Sequence, residues 1–460
     1  MPFPRSPRGY PAKPFVTAPA PIAVACTSTI SGVSTSVTAF VGRARRGPVD
    51  HPVTVASPAG FDEVFGGPWP ESGLGPAVHD FFRQGGSVAI VVRAHAPQEG
   101  DTATLSFGEV GDDRLVLRAA SPGTWGSRLV ARLHEDGGLT VADTATGYTE
   151  AFPNLSLVVV DVRPERLPPA QAATVTPATN DGGALDADAY RRALAPLGRA
   201  DVNLLVLPGA VEPDVVAEAI AFAQARPAVC VLDPPGAWST VEDALAGASS
   251  PAFLRSPNAV VYFPRIREPG PVRAASGAVA GVIARTDLTR GVWKSPAGIE
   301  ADLTGVVELD LALTEVDAAR LNPLGVNCLR PFPGSGPVVW GARTTSPDWK
   351  YLPVLRTALF LRESIERGTR WARFEPNDER LWARLRADVV EFMDDLHRRG
   401  AFAGSTPRDA YTVRCDAGTT TQDDIDRGVV NVTVGFAPMR PAEFVRIQLQ
   451  QLAGQALAGE

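Results

Sequence analysis

The chain has few of the residues from which metal and redox sites are made. Its 460 residues include four cysteines, Cys26, Cys230, Cys328 and Cys415, far apart and with no CxxC pair. That spacing supports neither a metal knuckle nor a disulfide framework, and it fits reduced thiols serving as small apolar side chains. The five histidines, His51, His79, His95, His134 and His397, never fall three or four residues apart, so HExxH is absent, and GxSxG is absent too. The nearest approach to a phosphate loop is Gly291-Val292-Trp293-Lys294-Ser295. Trp293 stands there where a second glycine must expose backbone N–H groups, so Lys294 reads as an interface or surface charge. Asp423, Asp424 and Asp426 before Gly428 lack the distal glutamate of a calcium loop and read as a polar loop. The expectation is a protein that is not an enzyme, with no catalytic, cofactor or metal residues.

Other absences limit location and partners. No run of 18 or more apolar residues exists, and residues 1–21 are interrupted by Pro, Arg and Lys and lack the apolar centre of a signal peptide. Assembly in the cytoplasm, without direct membrane insertion, is expected. Acids outnumber bases, 51 against 44, for a net charge of −7, with no basic excess for nucleic acid.

What is present is an apolar content of 45%, enough for a sizeable core, with 42 prolines and 43 glycines spread along the chain to make many turns. Prolines at 2, 4, 7, 11, 14, 19 and 21 hold residues 1–30 in extended geometry as an N-terminal arm. Ser36–Val41 and Ser87–Arg93 read as strands, with a short helix over Val78–Phe82 between them, and residues 31–100 form the first part of an α/β core. Residues 101–184 change to short alternating segments such as Arg114–Arg118 and Leu155–Val162, the pattern of a small inserted β-domain, with 168–184 as its exit linker.

From 185 to 345 strands and helices alternate. Val202–Leu207, Val229–Leu232 and Ala259–Phe263 are strands and Pro213–Gln224 is a helix, which implies a parallel sheet with right-handed crossovers. In 346–437 the spacing of Leu381, Leu385, Val389, Phe392 and Leu396 predicts one helix with an apolar stripe, N-capped by Asn377 and stopped at Arg398-Arg399-Gly400. Val430, Val432, Val434 and Phe436 alternate as a half-buried strand. Residues 438–460 read as a C-terminal arm whose Val445, Ile447 and Leu449 share one strand face; a short helix from 442 is the alternative. Arms prone to β structure at both ends suit strand exchange between copies.

Motifs in order along the chain resemble the tail sheath proteins of contractile phage tails and extracellular contractile injection systems. They are Ile30 to Gly42 with Arg46-Gly47-Pro48; Ser121-Pro122-Gly123-Thr124-Trp125-Gly126; Gly277 to Gly281 and Arg285-Thr286-Asp287; Gly291 to Gly298; Leu321-Asn322-Pro323; Trp340 to Thr344; Glu375-Pro376-Asn377; Val413 to Asp416; and Pro438 to Phe444. In this family a Pro-Gly-Val-Tyr-like strand opens the chain, where this sequence has Tyr10 to Val16. The resemblance implies a multi-domain α/β subunit with extended β-arms at both ends. It implies stacked six-fold rings forming a helical sheath around an inner tube, with baseplate and terminal cap proteins as further partners. The whole would contract to drive the tube through a target membrane, as part of a particle released from the cell. Val33, Phe40, Pro441, Phe444, Val445, Ile447 and Leu449 are the candidate residues of the inter-subunit arms. The sheath of a contractile phage virion or of a bacteriocin particle is an alternative, and an α/β hydrolase working from the parallel sheet is a more distant one.

Overall fold

The computed structural model describes residues 30–108, 115–153, 171–267 and 272–441. The chain opens on β1 (Thr38–Gly42), a run of five buried residues, followed by β2 (Pro52–Val55). The helix α1 (Pro58–Phe65) has Pro58 at its start and the Ser57 hydroxyl accepting from the Gly60 N–H. Next come α2 (Leu74–Arg83) and β3 (Ala89–Arg93). Seven short strands then make a separate module: β4 (Thr104–Phe107), β5 (Leu115–Arg118), β6 (Leu129–Leu133), β7 (Leu139–Asp143), β8 (Thr149–Phe152), β9 (Gln171–Ala172) and β10 (Thr174–Thr176). They form a three-stranded sheet, β10-β4-β5, and a four-stranded sheet, β8-β7-β6-β9. Leu105, Phe107, Leu115, Leu133 and Leu139 fill the space between the two sheets.

After the module the chain returns through α3 (Ala187–Leu194), β11 (Leu204–Val206), α4 (Pro213–Gln224), β12 (Val229–Leu232), α5 (Val241–Ser249) and β13 (Ala259–Phe263). Then follow β14 (Ile266–Arg267), α6 (Ser276–Arg290), β15 (Glu308–Leu309), α7 (Glu315–Leu321) and the hairpin of β16 (Val326–Phe332) with β17 (Gly336–Trp340). One sheet of order β17-β16-β13-β12-β11-β1-β3-β2 gathers the main strands. It is parallel from β16 to β3, and antiparallel β17 and β2 form its edges.

The period of two explains the layering, because successive side chains on each strand enter opposite cores. Phe40, Leu204, Val206, Val229, Val231, Val260 and Tyr262 face α1, α2 and α6. Ala39, Val41, Leu205, Cys230, Leu232, Val261 and Phe263 face α3, α4, α5 and α7. A sheet buried on both faces needs strands that are apolar throughout, as these are.

A third layer holds α8 (Leu352–Gly368), α9 (Glu379–Arg398), α10 (Pro407–Ala410), β18 (Tyr411–Arg414), α11 (Gln422–Asp426) and β19 (Thr433–Phe436). All five residues of the expected α9 stripe are buried. Several details differ from the sequence reading. Asp378, not Asn377, caps α9, its carboxylate accepting from the Leu381 N–H, while Asn377 binds the Trp382 indole N–H and the Val429 carbonyl. The stretch expected as an exit linker carries β9 and β10, because alternating Thr174, Val175 and Thr176 complete the β4 edge. Asp423, Asp424 and Asp426 lie on α11, where Asp424 and Thr421 form a capping box. The half-buried strand expected from Val430 begins at Thr433, three residues later. Leu155–Val162 lies outside the described residues.

The first nine residues of α6, Ser276–Ala284, are all buried, and the helix crosses α2 at backbone contact. A Cβ on Gly277 would stand 2.3 Å from the Ala77 carbonyl oxygen, and one on Gly281 2.4 Å from that of Phe81. Substituting Gly277→Val forces the helices apart. It is expected to destabilise the folded subunit by about 1–3 kcal/mol or more, readable as a lower denaturant midpoint at unchanged slope.

Candidate assembly surface

The surface where the chain's ends leave the body is organised by one buried ion pair. The Arg356 guanidinium on α8 donates to both carboxylate oxygens of Asp287 on α6, at 2.8 and 2.6 Å, and each side chain is 4% exposed. The same guanidinium donates to the Thr35 carbonyl at 2.6 Å, and the Thr35 hydroxyl donates to Asp287 at 2.6 Å. Three segments far apart in sequence are thus closed on one site: the approach to β1, the middle of the body and the start of the third layer. The Val33 N–H donates to the Ser364 hydroxyl of α8, and Ile30, 3% exposed, packs on Gly368 and Leu361. A more exposed tie lies at the far end of α8, where Arg367 bonds Asp201 and Glu363. Its hydrogen bond to Arg367 holds the Asp201 carboxyl below its usual range.

Beside this site lies the β18–β19 ribbon. Its inward face, Tyr411, Val413, Val434 and Phe436, packs on Val389, Phe392, Met393 and Leu396 of α9 and neighbours. The Tyr411 hydroxyl donates to Asp394, and burial together with that carboxylate pushes the phenol up. Among the described residues no third strand pairs with β18 or β19. Two strands alone are a marginal sheet; just past β19 the Ala403 N–H bonds the Ala437 carbonyl, and along β18 and β19 themselves no described strand fills the outer edges. The β17 edge of the main sheet is different. Residues 298–303 cover it, with the Gly298 N–H on the Val339 carbonyl, the Val339 N–H on the Ala301 carbonyl and the Leu303 N–H on the Pro337 carbonyl.

The C-terminal segment leaves across a cleft of about 520 Å³ floored by Trp293, Trp340, Pro353 and Met439. Arg290, Lys294, Arg399 and Arg440 line it with no acidic residue. Pro441 lies on its wall and is the last described residue. Phe444, Val445, Ile447 and Leu449 lie outside the described residues. Val33 sits half-buried against α8 where the N-terminal segment arrives. Phe40 is corrected: it is fully buried at the centre of β1 between β11 and β3, so it serves its own subunit's core and offers nothing to a neighbour.

The groups a hydrolase would draw on have local roles. Asp233, at the carboxyl end of β12, accepts from the Gly209, Ala275 and Ser276 N–H groups and the Ser276 hydroxyl, anchoring the start of α6. Burial pushes its carboxyl up. His79, His95, His134 and His397 bond Asp62, Asp101, Thr140 and the Gly404 carbonyl. Cys230, Cys328 and Cys415 are free and buried, their thiols pushed up by burial, that of Cys328 to about 12. No group of three or more His, Cys, Asp or Glu among the described residues could hold a metal ion. No described helix is long and apolar enough to cross a membrane.

The family model of the phage tail sheath protein central domain matches residues 183–345, and that of the phage tail sheath C-terminal domain matches 344–451, so that together they span over half of the chain. The chain belongs to the phage tail sheath family. It is 29% identical over 306 residues to a putative prophage major tail sheath protein of Pseudomonas aeruginosa, covering 62% of this chain and 74% of that one. It is 24% identical over 173 residues to the tail sheath protein of Enterobacteria phage T4, of whose length it spans 25%. The fold is that of solved sheath structures. A chain of the anti-feeding prophage baseplate superposes with a TM-score of 0.65 at 23% identity, over 98% of this chain and 99% of that one. A chain of the PVC extracellular contractile injection system sheath in its contracted state gives 0.65 at 24%, with the same coverage. The sheath tail protein of Listeria innocua gives 0.63 at 11% identity, over 89% and 96%.

In this sheath-family subunit the organising pair is not marked as a site by sequence pattern, although Asp287 belongs to the Arg285-Thr286-Asp287 motif. The available signal was a lone arginine in the apolar run Leu352–Leu361. Removing one partner by Arg356→Met leaves Asp287 buried and uncompensated, and is expected to cost about 3–5 kcal/mol. Replacing both, Arg356→Met with Asp287→Leu, should recover a good part of that loss. Urea denaturation of the three proteins reads the difference.

Proposed function

We propose that the chain is a structural subunit of a contractile sheath, stacking as six-fold rings around an inner tube and shortening to drive that tube through a target membrane. The observation that carries this reading, beside family membership, is the open β18–β19 ribbon set among the roots of both terminal segments. In this reading the arms expected from the sequence, residues 1–30 and 438–460, supply strands for its edges in neighbouring copies. Each backbone hydrogen bond so formed contributes about 0.5–1.5 kcal/mol net, and the sum recurs over every copy in a long polymer. In this reading contraction swaps one packing of the bodies for another while the strands stay paired. Baseplate and terminal cap proteins bound the polymer at its ends, and assembly takes place in the cytoplasm before the particle leaves the cell.

The near-complete coverage of both chains in the anti-feeding prophage and PVC matches favours the extracellular injection type. The prophage relative favours the sheath of a phage virion or a bacteriocin-like particle as a second reading. Head, tail-fibre or toxin genes beside this one decide between them. The subunit performs no catalysis: purified protein should hydrolyse neither peptides nor nucleotides, and turnover abolished by a single substitution would refute this.

Deleting residues from Pro441 onward should leave a soluble body that melts where the full chain melts yet forms no tubes under electron microscopy. Normal tubes from the truncated chain would overturn strand donation by the C-terminal segment.

A further inference from the structure

Two exposed features at opposite ends of α9 complement each other. The first is a knob. Phe374, in the turn before the helix, is fully exposed and has a φ of +73°. It is one of two non-glycine residues with positive φ among the described residues, and the other is an aspartate. A bulky residue in the left-handed region costs about 1–2 kcal/mol. A phenyl ring wholly in water returns nothing for that cost within the subunit, and local strain kept without local gain points to a use elsewhere. Glu375 and Pro376 beside it are exposed, and Glu375 makes no ion pair among the described residues.

The second feature is the cleft at the other end of α9. Trp293, Trp340, Pro353 and Met439 offer an apolar floor, and four cations line it without an acid. Arg290 bonds Glu300 at the rim, and Arg399 lies over the Trp293 ring at 5.5 Å. Lys294 and Arg440 have no acidic partner among the described residues, so the described lining of the cleft sets positive charge over aromatic surface.

Helix α9 has 20 residues and is about 30 Å long at 1.5 Å per residue. A rigid rod that holds the knob at one end and the cleft at the other keeps them apart within one chain. We infer that Phe374 and Glu375 of one copy seat in the Trp293–Trp340–Lys294 cleft of a second copy, forming a head-to-tail contact. The phenyl ring takes the apolar floor, and the Glu375 carboxylate meets Lys294 and Arg440. Arg373 on the other flank sets the orientation, since only a pose that turns it outward avoids like charges. Such a contact joins two different patches, so it propagates into a ring or a helix and cannot close as a simple dimer. It rests on the sheath reading, to which it adds a named interface between the folded bodies.

The test uses the full-length chain. Phe374→Gly removes the strain along with the ring. It should melt no lower than wild type as an isolated subunit, yet raise the concentration needed for tube formation by about tenfold or more. Lys294→Glu should impair assembly likewise, and combining it with Glu375→Lys should restore it. Single-site variants Glu375→Cys and Lys294→Cys, mixed, assembled and treated with a short bis-maleimide, should give covalent dimers that neither variant gives alone. Wild-type tubes formed alongside unimpaired Phe374→Gly tubes would overturn the contact while leaving the sheath reading intact. So would a cross-link that forms between Lys294→Cys and a Glu443→Cys variant while none forms to Glu375→Cys, or one to a different protein. A wild-type chain that forms no tubes with its inner tube present would overturn both.

Discussion

The Arg356–Asp287 pair is the constraint on which the arrangement of layers depends. An ion pair sealed from water is not in itself a strong source of stability, because desolvation offsets much of the attraction. Its value here is positional. A guanidinium has donors in a fixed fork, and three acceptor oxygens from two other segments, two on Asp287 and one on Thr35, satisfy it in only one arrangement. The third layer can therefore dock on the body in a single register, and the same bond aligns the path of the chain into β1. Apolar packing alone would allow α8 to slide along the sheet's helical face, since Leu352 and Leu355 contact a broad and rather uniform surface.

The parallel sheet was legible in the sequence because its strands are short, apolar and bounded by turns. Val229–Leu232, Ala259–Phe263 and Pro213–Gln224 lie where the pattern puts them. Helix α9 was legible because one face stays wet and the stripe keeps its period. Helix α6 was not, since Gly277, Ala278, Val279, Ala280, Gly281, Val282 and Ile283 are buried on every side and show no period at all. The cap of α9 was misplaced by one residue because Asn377 and Asp378 are both good caps, and only the Trp382 indole decides which one is free for that role.

The candidate surface was less legible for a related reason. Its parts come from residues near 35, 290, 360, 400 and 440, and no local pattern connects them. Phe40 shows the hazard of reading continuity from sequence: an extended segment and a core strand look alike when both are β-prone, and the passage from one to the other lies between Thr35 and Thr38, where the buried pair ends and the sheet begins.

The position of β1 has a mechanical consequence. The strand that follows the N-terminal segment is also central in the sheet, paired in parallel with β3 on one side and β11 on the other. Tension applied through that segment acts along the axis of β1, so its ladders on both sides are loaded in shear and share the force together. An edge strand pulled from its end would instead peel one bond at a time. Ahead of the ladders in series stand the Ile30 plug and the Thr35 tether, which yield before the sheet does. The subunit is built like a rope anchored in the middle of a plate, with a fuse at the rim.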